Sequence, residues 1–283
     1  MSGESLRSHH DGRKGDFLSI FTVHMKSKEG TDGSRAKRLA AQLHFPRLLN
    51  ARDLGGCTIR GGAQTRARSL LRTDDLSMLT PEGVRALLDY GVRSVIDLRW
   101  PHELASRPSV FQRGAHGVRY TNVSLLDGTE TAWNAKSPRV PKEKWNCAVL
   151  DHSPRELAQA LRAVADAPQG VVLFHCVAGK DRTGAIAALL LAAADVEPAD
   201  IAGDYSVSTD YIREAYLSAQ PPEAHEAILE EVRCPPEQIY NMLEHLDRRY
   251  GGTLSYLRTI GLRADEIDRI RNRLLPDVKA PAA

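Results

Sequence analysis

Along residues 80–175 the apolar and polar positions repeat one arrangement twice. Val84, Leu87 and Leu88 fall on one face of a helix opened by Thr80-Pro81 and stopped by Gly91, and the apolar run Val92–Leu98 follows at once. Ser153-Pro154-Arg155-Glu156 has the form of a capping box ahead of Leu157, Leu161 and Val164, and this helix leads into a second run, Val171–Phe174. A helix feeding a buried strand, twice over, predicts an α/β fold with a central, mainly parallel sheet flanked by helices. Val118–Val123 offers a third strand and Cys57–Arg72 an edge hairpin. From about Pro198 the pattern is almost entirely helical. Thr253 and Gly261 bracket one short helix, and Ala264–Leu275 forms another.

Inside this helical C-terminal region, Tyr211–Pro236 is predicted to be a mobile lid. Pro221-Pro222 and Pro235-Pro236 interrupt helices and supply hinges. Between them Ala227, Ile228 and Val232 make a partial apolar stripe among Glu223, Glu226, Glu230 and Glu231. An ordinary packed helix pair with no gating role is the competing reading. Residues 1–40 are rich in Ser, Gly, Lys and His and are expected to form a mobile tail. Residues 41–283 then make a single domain.

Composition narrows the classes. A chain of 283 residues, 42% hydrophobic and 26% charged, is long enough for one sizeable core. Its net charge of +2 asks for no nucleic-acid partner, so any anion site should be local. The four cysteines, Cys57, Cys147, Cys176 and Cys234, are far apart with no C-x-x-C pair, and no histidine cluster has metal-ligand spacing. Neither a zinc site nor a disulfide framework is expected, which suits a reducing compartment. The longest apolar run, Ala185–Ala194, is roughly half the length a membrane span needs, so no transmembrane segment is expected. Phe17–Met25 imitates a signal peptide only faintly, since it contains His24 and lacks a small-residue cleavage site. A cytoplasmic protein is expected, with export without a recognisable signal left open.

One segment carries chemistry. His175-Cys176-Val177-Ala178-Gly179-Lys180-Asp181-Arg182-Thr183-Gly184 joins a predicted strand to an apolar helix expected over Thr183–Ala194, with five residues between cysteine and arginine. Such a loop lies at the carboxyl edge of the sheet, where ligands bind in this architecture. Wrapped around a phosphate monoester, it turns the N–H groups of Val177 to Thr183 inward, and the helix N-terminus adds its dipole. Arg182 supplies a bidentate fork to the phosphate oxygens. Cys176 lies in line behind the phosphorus, and a helix N-terminus with nearby cations favours the nucleophilic thiolate. Lys180 is a further substrate ligand, Thr183 a hydroxyl donor to the sulfur, and His175 an ordering residue for the loop. A nucleotide-binding P-loop is excluded: that motif needs glycine where Phe174 stands and Ser or Thr where Asp181 stands.

At these residues the chain resembles the cysteine-based protein tyrosine phosphatase superfamily. In particular it is similar to the atypical bacterial tyrosine and dual-specificity phosphatases with phosphoinositide activity. The likeness covers about residues 44–275. It includes Asn50-Ala51-Arg52-Asp53-Leu54-Gly55-Gly56, Leu71-Arg72-Thr73, Val95-Ile96-Asp97-Leu98-Arg99 followed by Glu103, and Arg249-Tyr250-Gly251-Gly252 with Tyr256-Leu257. It implies a phosphotyrosine-phosphatase-like α/β fold, no metal or cofactor, and a phosphoprotein or phosphoinositide substrate. Cys176 is then the nucleophile and Arg182 the phosphate clamp. One departure matters: no Trp-Pro-Asp acid loop is present, since Trp100-Pro101 is followed by His102. The general acid is therefore open among Asp181, Asp127 and Asp97, with Asp181 preferred. Asp97 has the rival reading of a salt bridge with Arg99, and Arg52 and Asp53 that of bracing the loop from below. Two other functions compete, a catalytically weak module that recognises phosphorylated partners and a sulfurtransferase. Turnover of an aryl phosphate separates the first, and a thiosulfate–cyanide assay the second.

Overall fold

The computed structural model describes residues 41–125 and 140–276. The expected N-terminal tail and Asp127 lie outside the described residues. In chain order the elements are β1 (Arg52–Asp53), β2 (Leu70–Thr73), α1 (Pro81–Tyr90), β3 (Val92–Asp97), α2 (Pro101–Ser106), β4 (Arg119–Asn122), α3 (Trp145–His152), α4 (Pro154–Ala165) and β5 (Val171–His175). Seven helices follow: α5 (Asp181–Ala193), α6 (Pro198–Ser206), α7 (Ser208–Ser218), α8 (His225–Val232), α9 (Glu237–Tyr250), α10 (Thr253–Thr259) and α11 (Ala264–Leu274).

The five-stranded sheet has the order β1-β2-β5-β3-β4, parallel except for the β1–β2 pair. β5 is central and every residue in it is buried. Its alternation sorts the core into two layers. Val172 and Phe174 face Leu70, Ile96 and the helices α4 and α5, while Val171 and Leu173 face Leu71, Val95 and the α1 residues Val84 and Leu87. With both faces covered, the strands read as near-continuous apolar runs. Register then decides where the site lies: Thr73 of β2 and Asp97 of β3 both pair with His175 of β5, so three strand ends meet at one edge.

Local signals formed as expected at α1. Thr80 accepts a hydrogen bond from Gly83 N at 3.3 Å, and Gly91 closes the helix at φ 107°. The capping box at Ser153 did not form. α3 runs straight into α4, so Ser153 N already bonds Val149 O, and the buried serine hydroxyl makes no hydrogen bond among the described residues. The expected hairpin over 57–72 is also corrected. Its first part makes two isolated bridges, Thr58 to Gln64 within the segment and Ile59 to Val196 outside it, while β2 lies inside the sheet between β5 and the short edge strand β1.

The apolar helix α5 is buried almost all round, with Leu189, Leu190 and Leu191 all inaccessible. Each such leucine contributes about 1.5–3 kcal/mol by burial, which anchors the helix whose N-terminus carries the loop. Gly184 is needed here because a Cβ on it would lie 2.7 Å from the Tyr205 ring. The segment expected to form a lid is the pair α7–α8. Ile212, Tyr216, Ile228 and Val232 make a small cluster of their own, packed against Leu49 and against Ala178 of the loop.

Candidate active site

The loop Cys176–Lys180 starts from the buried end of β5 and enters α5 at Asp181. Its carbonyl groups are tied down by side chains from the N-terminal part of the chain. Asn50 Nδ2 donates to Ala178 O at 2.9 Å and Gly179 O at 3.1 Å, and Arg72 Nη2 donates to Gly179 O at 2.8 Å. The N–H of Asp75 donates to Val177 O at 3.0 Å. Gly179 has φ 65°, and a Cβ there would lie 2.5 Å from Thr73 O, so only glycine lets the loop lie against β2. The carbonyls of Val177, Ala178 and Gly179 are thus all engaged by donors from residues 50–75.

Arg52 acts one step removed. Its Nη1 donates to Asn50 Oδ1 at 2.6 Å, which fixes the amide so that Nδ2 faces the loop. Arg52 Nε is 2.8 Å from Asp204 Oδ1, and Arg72 Nη1 pairs with Oδ2 of the same carboxylate. All three groups are buried. Burial alone raises the Asp204 pKa, but the two guanidinium groups outweigh it and hold the carboxyl below the ordinary range. For Arg52, burial and the neighbouring Arg72 win, and its pKa is lowered to about 10. Asp53 points elsewhere, accepting from Tyr90 Oη, Gly55 N and Arg68 N.

Arg182 is held in a fixed plane. Nη1 donates to Glu103 Oε2 at 2.7 Å and Nη2 to Oε1 at 2.9 Å, while Nη1 also reaches Leu98 O and the guanidinium stacks 4.5 Å from the Trp100 ring. Glu103 is itself anchored by Trp100 N at 2.7 Å. Burial works to lower the Arg182 pKa, yet the Glu103 partner raises it above its usual value. Of the five guanidinium N–H donors, Nε–H and one on Nη2 remain to face an anion.

The other expected residues separate into two groups. His175 and Asp97 are wholly buried: His175 Nδ1 lies 3.0 Å from Cys176 O, and Nε2 lies 3.3 Å from Asp97 Oδ2 without hydrogen-bond alignment. Asp97 also accepts from Arg99 and from Tyr120 Oη. Burial raises its pKa, but His175 and Arg99 overcome this and hold it far below the carboxylate range, so it has no proton to give. Asp181 is the carboxylate at the loop, 37% exposed, accepting from Lys180 Nζ at 2.9 Å and Tyr205 Oη at 3.4 Å. Lys180 is buried against it, and although burial pulls its pKa down, Asp181 holds it above the ordinary value. The Thr183 hydroxyl is buried and makes no hydrogen bond among the described residues, so the expected contact with the sulfur is not formed. Cys176 is itself 3% exposed.

Several site residues had no role in the sequence reading. Asn50, Arg72 and Glu103 lie in segments quoted for the resemblance, and their spacing from Arg52, Asp97 and Trp100 was the available signal. Asp204 carried none. Among the described residues no group of three or more His, Cys, Asp or Glu side chains is placed to hold a metal.

Comparison with known proteins bears on the fold and the family. A tyrosine-protein phosphatase of Nostoc commune is 33% identical over 74% of this chain and 74% of its own length. The triple specificity protein phosphatase PtpB of Mycobacterium tuberculosis is 25% identical over 82% of this chain and 98% of its own. The crystal structure of P. aeruginosa TpbA in complex with pTyr shares 16% identity, covers 70% of this chain and 98% of that one, and has a TM-score of 0.34. A model of the tyrosine phosphatase family matches residues 43–276, nearly all the described fold, and the chain is a phosphatase that belongs to that family.

Proposed function

We propose that the protein hydrolyses phosphate monoesters, phosphotyrosine first, through a phosphocysteine at Cys176. The Cys176 thiolate attacks phosphorus; the S–P bond forms as the ester P–O bond breaks. Asp181 gives its proton to the departing oxygen. Water then attacks the phosphocysteine and gives a proton to the Asp181 carboxylate, the new P–O bond forms as the S–P bond breaks, and inorganic phosphate leaves as the thiolate is restored. The inward amides of Val177 to Thr183, Lys180 and Arg182 carry the charge of the three equatorial oxygens. The observation that carries this reading is the Arg182 fork. Glu103 occupies one edge of the guanidinium in bidentate fashion and leaves the Nε edge directed for a second, phosphate-shaped partner. The proposed substrates extend to phosphoserine, phosphothreonine and phosphoinositides, and the name of the M. tuberculosis relative, a triple specificity protein phosphatase, supports a range wider than one phosphorylated residue. The α7–α8 pair, seated on Ala178 by a cluster separate from the main core, supports a lid over the cradle.

The test is turnover of an aryl phosphate by wild type and Cys176→Ser. The variant is expected to keep phosphate binding and lose hydrolysis, and rapid quenching of wild type should trap a phosphate on Cys176. Substantial turnover by Cys176→Ser sinks the mechanism.

A further inference from the structure

The segment Arg249-Tyr250-Gly251-Gly252, quoted for the resemblance, takes no part in the cradle. Gly251 and Gly252 both adopt positive φ, 73° and 102°, which turns the chain sharply from α9 into α10. That turn borders a cavity of about 520 Å³, a size that holds a small organic ligand. Ala192 and Ala193, at the far end of α5, also line it. About 18 Å of helix therefore separates it from the loop, which enters α5 at Asp181.

The charges around this cavity do not balance. Arg60, Arg258 and Arg271 line it together with two carboxylates, Asp195 and Asp247. Arg60 lies 3.6 Å from Asp195, with both groups exposed. Arg258 and Arg271 form no ion pair among the described residues. The Nε–H of Arg271 is moreover buried and donates to nothing among them. A buried cationic donor without an acceptor destabilises the fold, and an acceptor from outside the chain removes that cost.

Two uncompensated guanidinium groups match the dianion of a phosphate monoester better than a single carboxylate. A bare anion would still meet Asp247, which has the same sign. Hydroxyl groups on the ligand resolve this by donating to the Asp247 carboxylate, and Thr253 and Ser255 on the same lining complete the polar contacts. Leu243, Leu254 and Ile201 supply the apolar remainder. We infer that this cavity is a binding site, separate from the cradle, for a sugar phosphate, either free or as the ribose phosphate of a nucleotide. Arg258 and Arg271 hold the phosphate, and Asp247 reads the hydroxyls. The site does not depend on catalysis at Cys176.

The experiment is a calorimetric titration of full-length Arg182→Ala, in which the cradle has lost its phosphate clamp. The probes are ribose 5-phosphate, adenosine monophosphate, inorganic phosphate and ribose. One equivalent of ribose 5-phosphate or of the nucleotide should bind with a Kd of about 1 mM or below, and ribose should not register. The tighter of the two names the source of the sugar phosphate. Adding Arg258→Met, at an exposed position, should weaken that binding at least about tenfold, and Arg271→Met should do the same. Asp247→Asn should weaken ribose 5-phosphate while inorganic phosphate binds as before or more tightly. Failure of both sugar phosphates to bind in this range, or binding that neither arginine variant weakens, overturns the inference. So does inorganic phosphate binding as tightly as ribose 5-phosphate, which would make the cavity a plain anion site.

Discussion

Asp204→Asn removes one negative charge from beneath the cradle at almost constant volume. Asp204 is 4% exposed and its two partners, Arg52 and Arg72, are 0% exposed, so the variant leaves two guanidinium groups buried around a neutral amide. Breaking a buried pair from one side costs about 3–5 kcal/mol, and a carboxylate shared by two arginines belongs at the upper end. That is a large part of a total stability of about 5–15 kcal/mol. At roughly 2–4 °C per kcal/mol for a domain of this size, the Tm should fall by about 10–15 °C. Catalysis should fall too, by about 10–100-fold in kcat/KM, because Arg72 loses its anchor and with it the hold on Gly179 O. The sign with pH follows from the depressed Asp204 pKa. The stability it contributes is present above its unfolded value of about 4 and is lost as pH falls through the folded value. The gap between wild type and variant should therefore be full at neutral pH and narrow below about pH 4. Thermal melts followed by circular dichroism at both pH values, with aryl phosphate kinetics at neutral pH, read all three effects. A Tm loss under about 3 °C at neutral pH, or a gap that does not narrow in acid, refutes the reasoning.

Further outcomes follow from the same geometry. Gly179→Ala sets a Cβ 2.5 Å from Thr73 O at a positive φ, so aryl phosphate kcat/KM should drop at least about 100-fold, and a variant within tenfold of wild type contradicts the packing. Glu103→Gln should cost about 10–100-fold by releasing Arg182, with KM for phosphate esters rising; unchanged KM speaks against the fork. Asp181→Asn should slow alkyl phosphates by about 10²–10⁴-fold and nitrophenyl phosphate far less, and equal losses on both remove it as the acid. At neutral pH iodoacetamide should label Cys176 and spare the others, since burial pushes Cys57 up to about 12 and also raises Cys147 and Cys234; peptide mapping with and without inorganic phosphate checks this.

What was legible in the sequence is what neighbouring residues decide among themselves. Thr80, Pro81 and Gly91 set the ends of α1 by backbone preference, and the run from Val171 through Ala194 shows its strand, loop and helix directly. Ser153 misled because a cap depends on the φ and ψ of the capping residue, which the end of α3 had already claimed. β2 was misplaced because partner choice in a parallel sheet has no local mark. The braces were least visible: Arg72 and Arg52 meet Asp204 across 132 and 152 residues, and each alone resembles any surface charge. Asp97 was legible only as a pair of readings, and burial beside Arg99 decides for the salt bridge.

The tether from Asn50 to the loop also governs when the protein can work. It joins residues 128 positions apart, and β2 joins β5 over a comparable span. Contacts of such high sequence separation carry the loop-closure entropy of everything between them and form late. Helices α4 and α5 flank the loop and can assemble from local contacts well before residues 50–75 return to close the cradle. A chain released from denaturant should thus regain its helical signal first and its turnover afterwards, with a lag set by the docking of the N-terminal edge. During synthesis the order is reversed in space but not in consequence: the edge emerges first and waits, and competence arrives only when residues 171–184 have left the ribosome and paired with it.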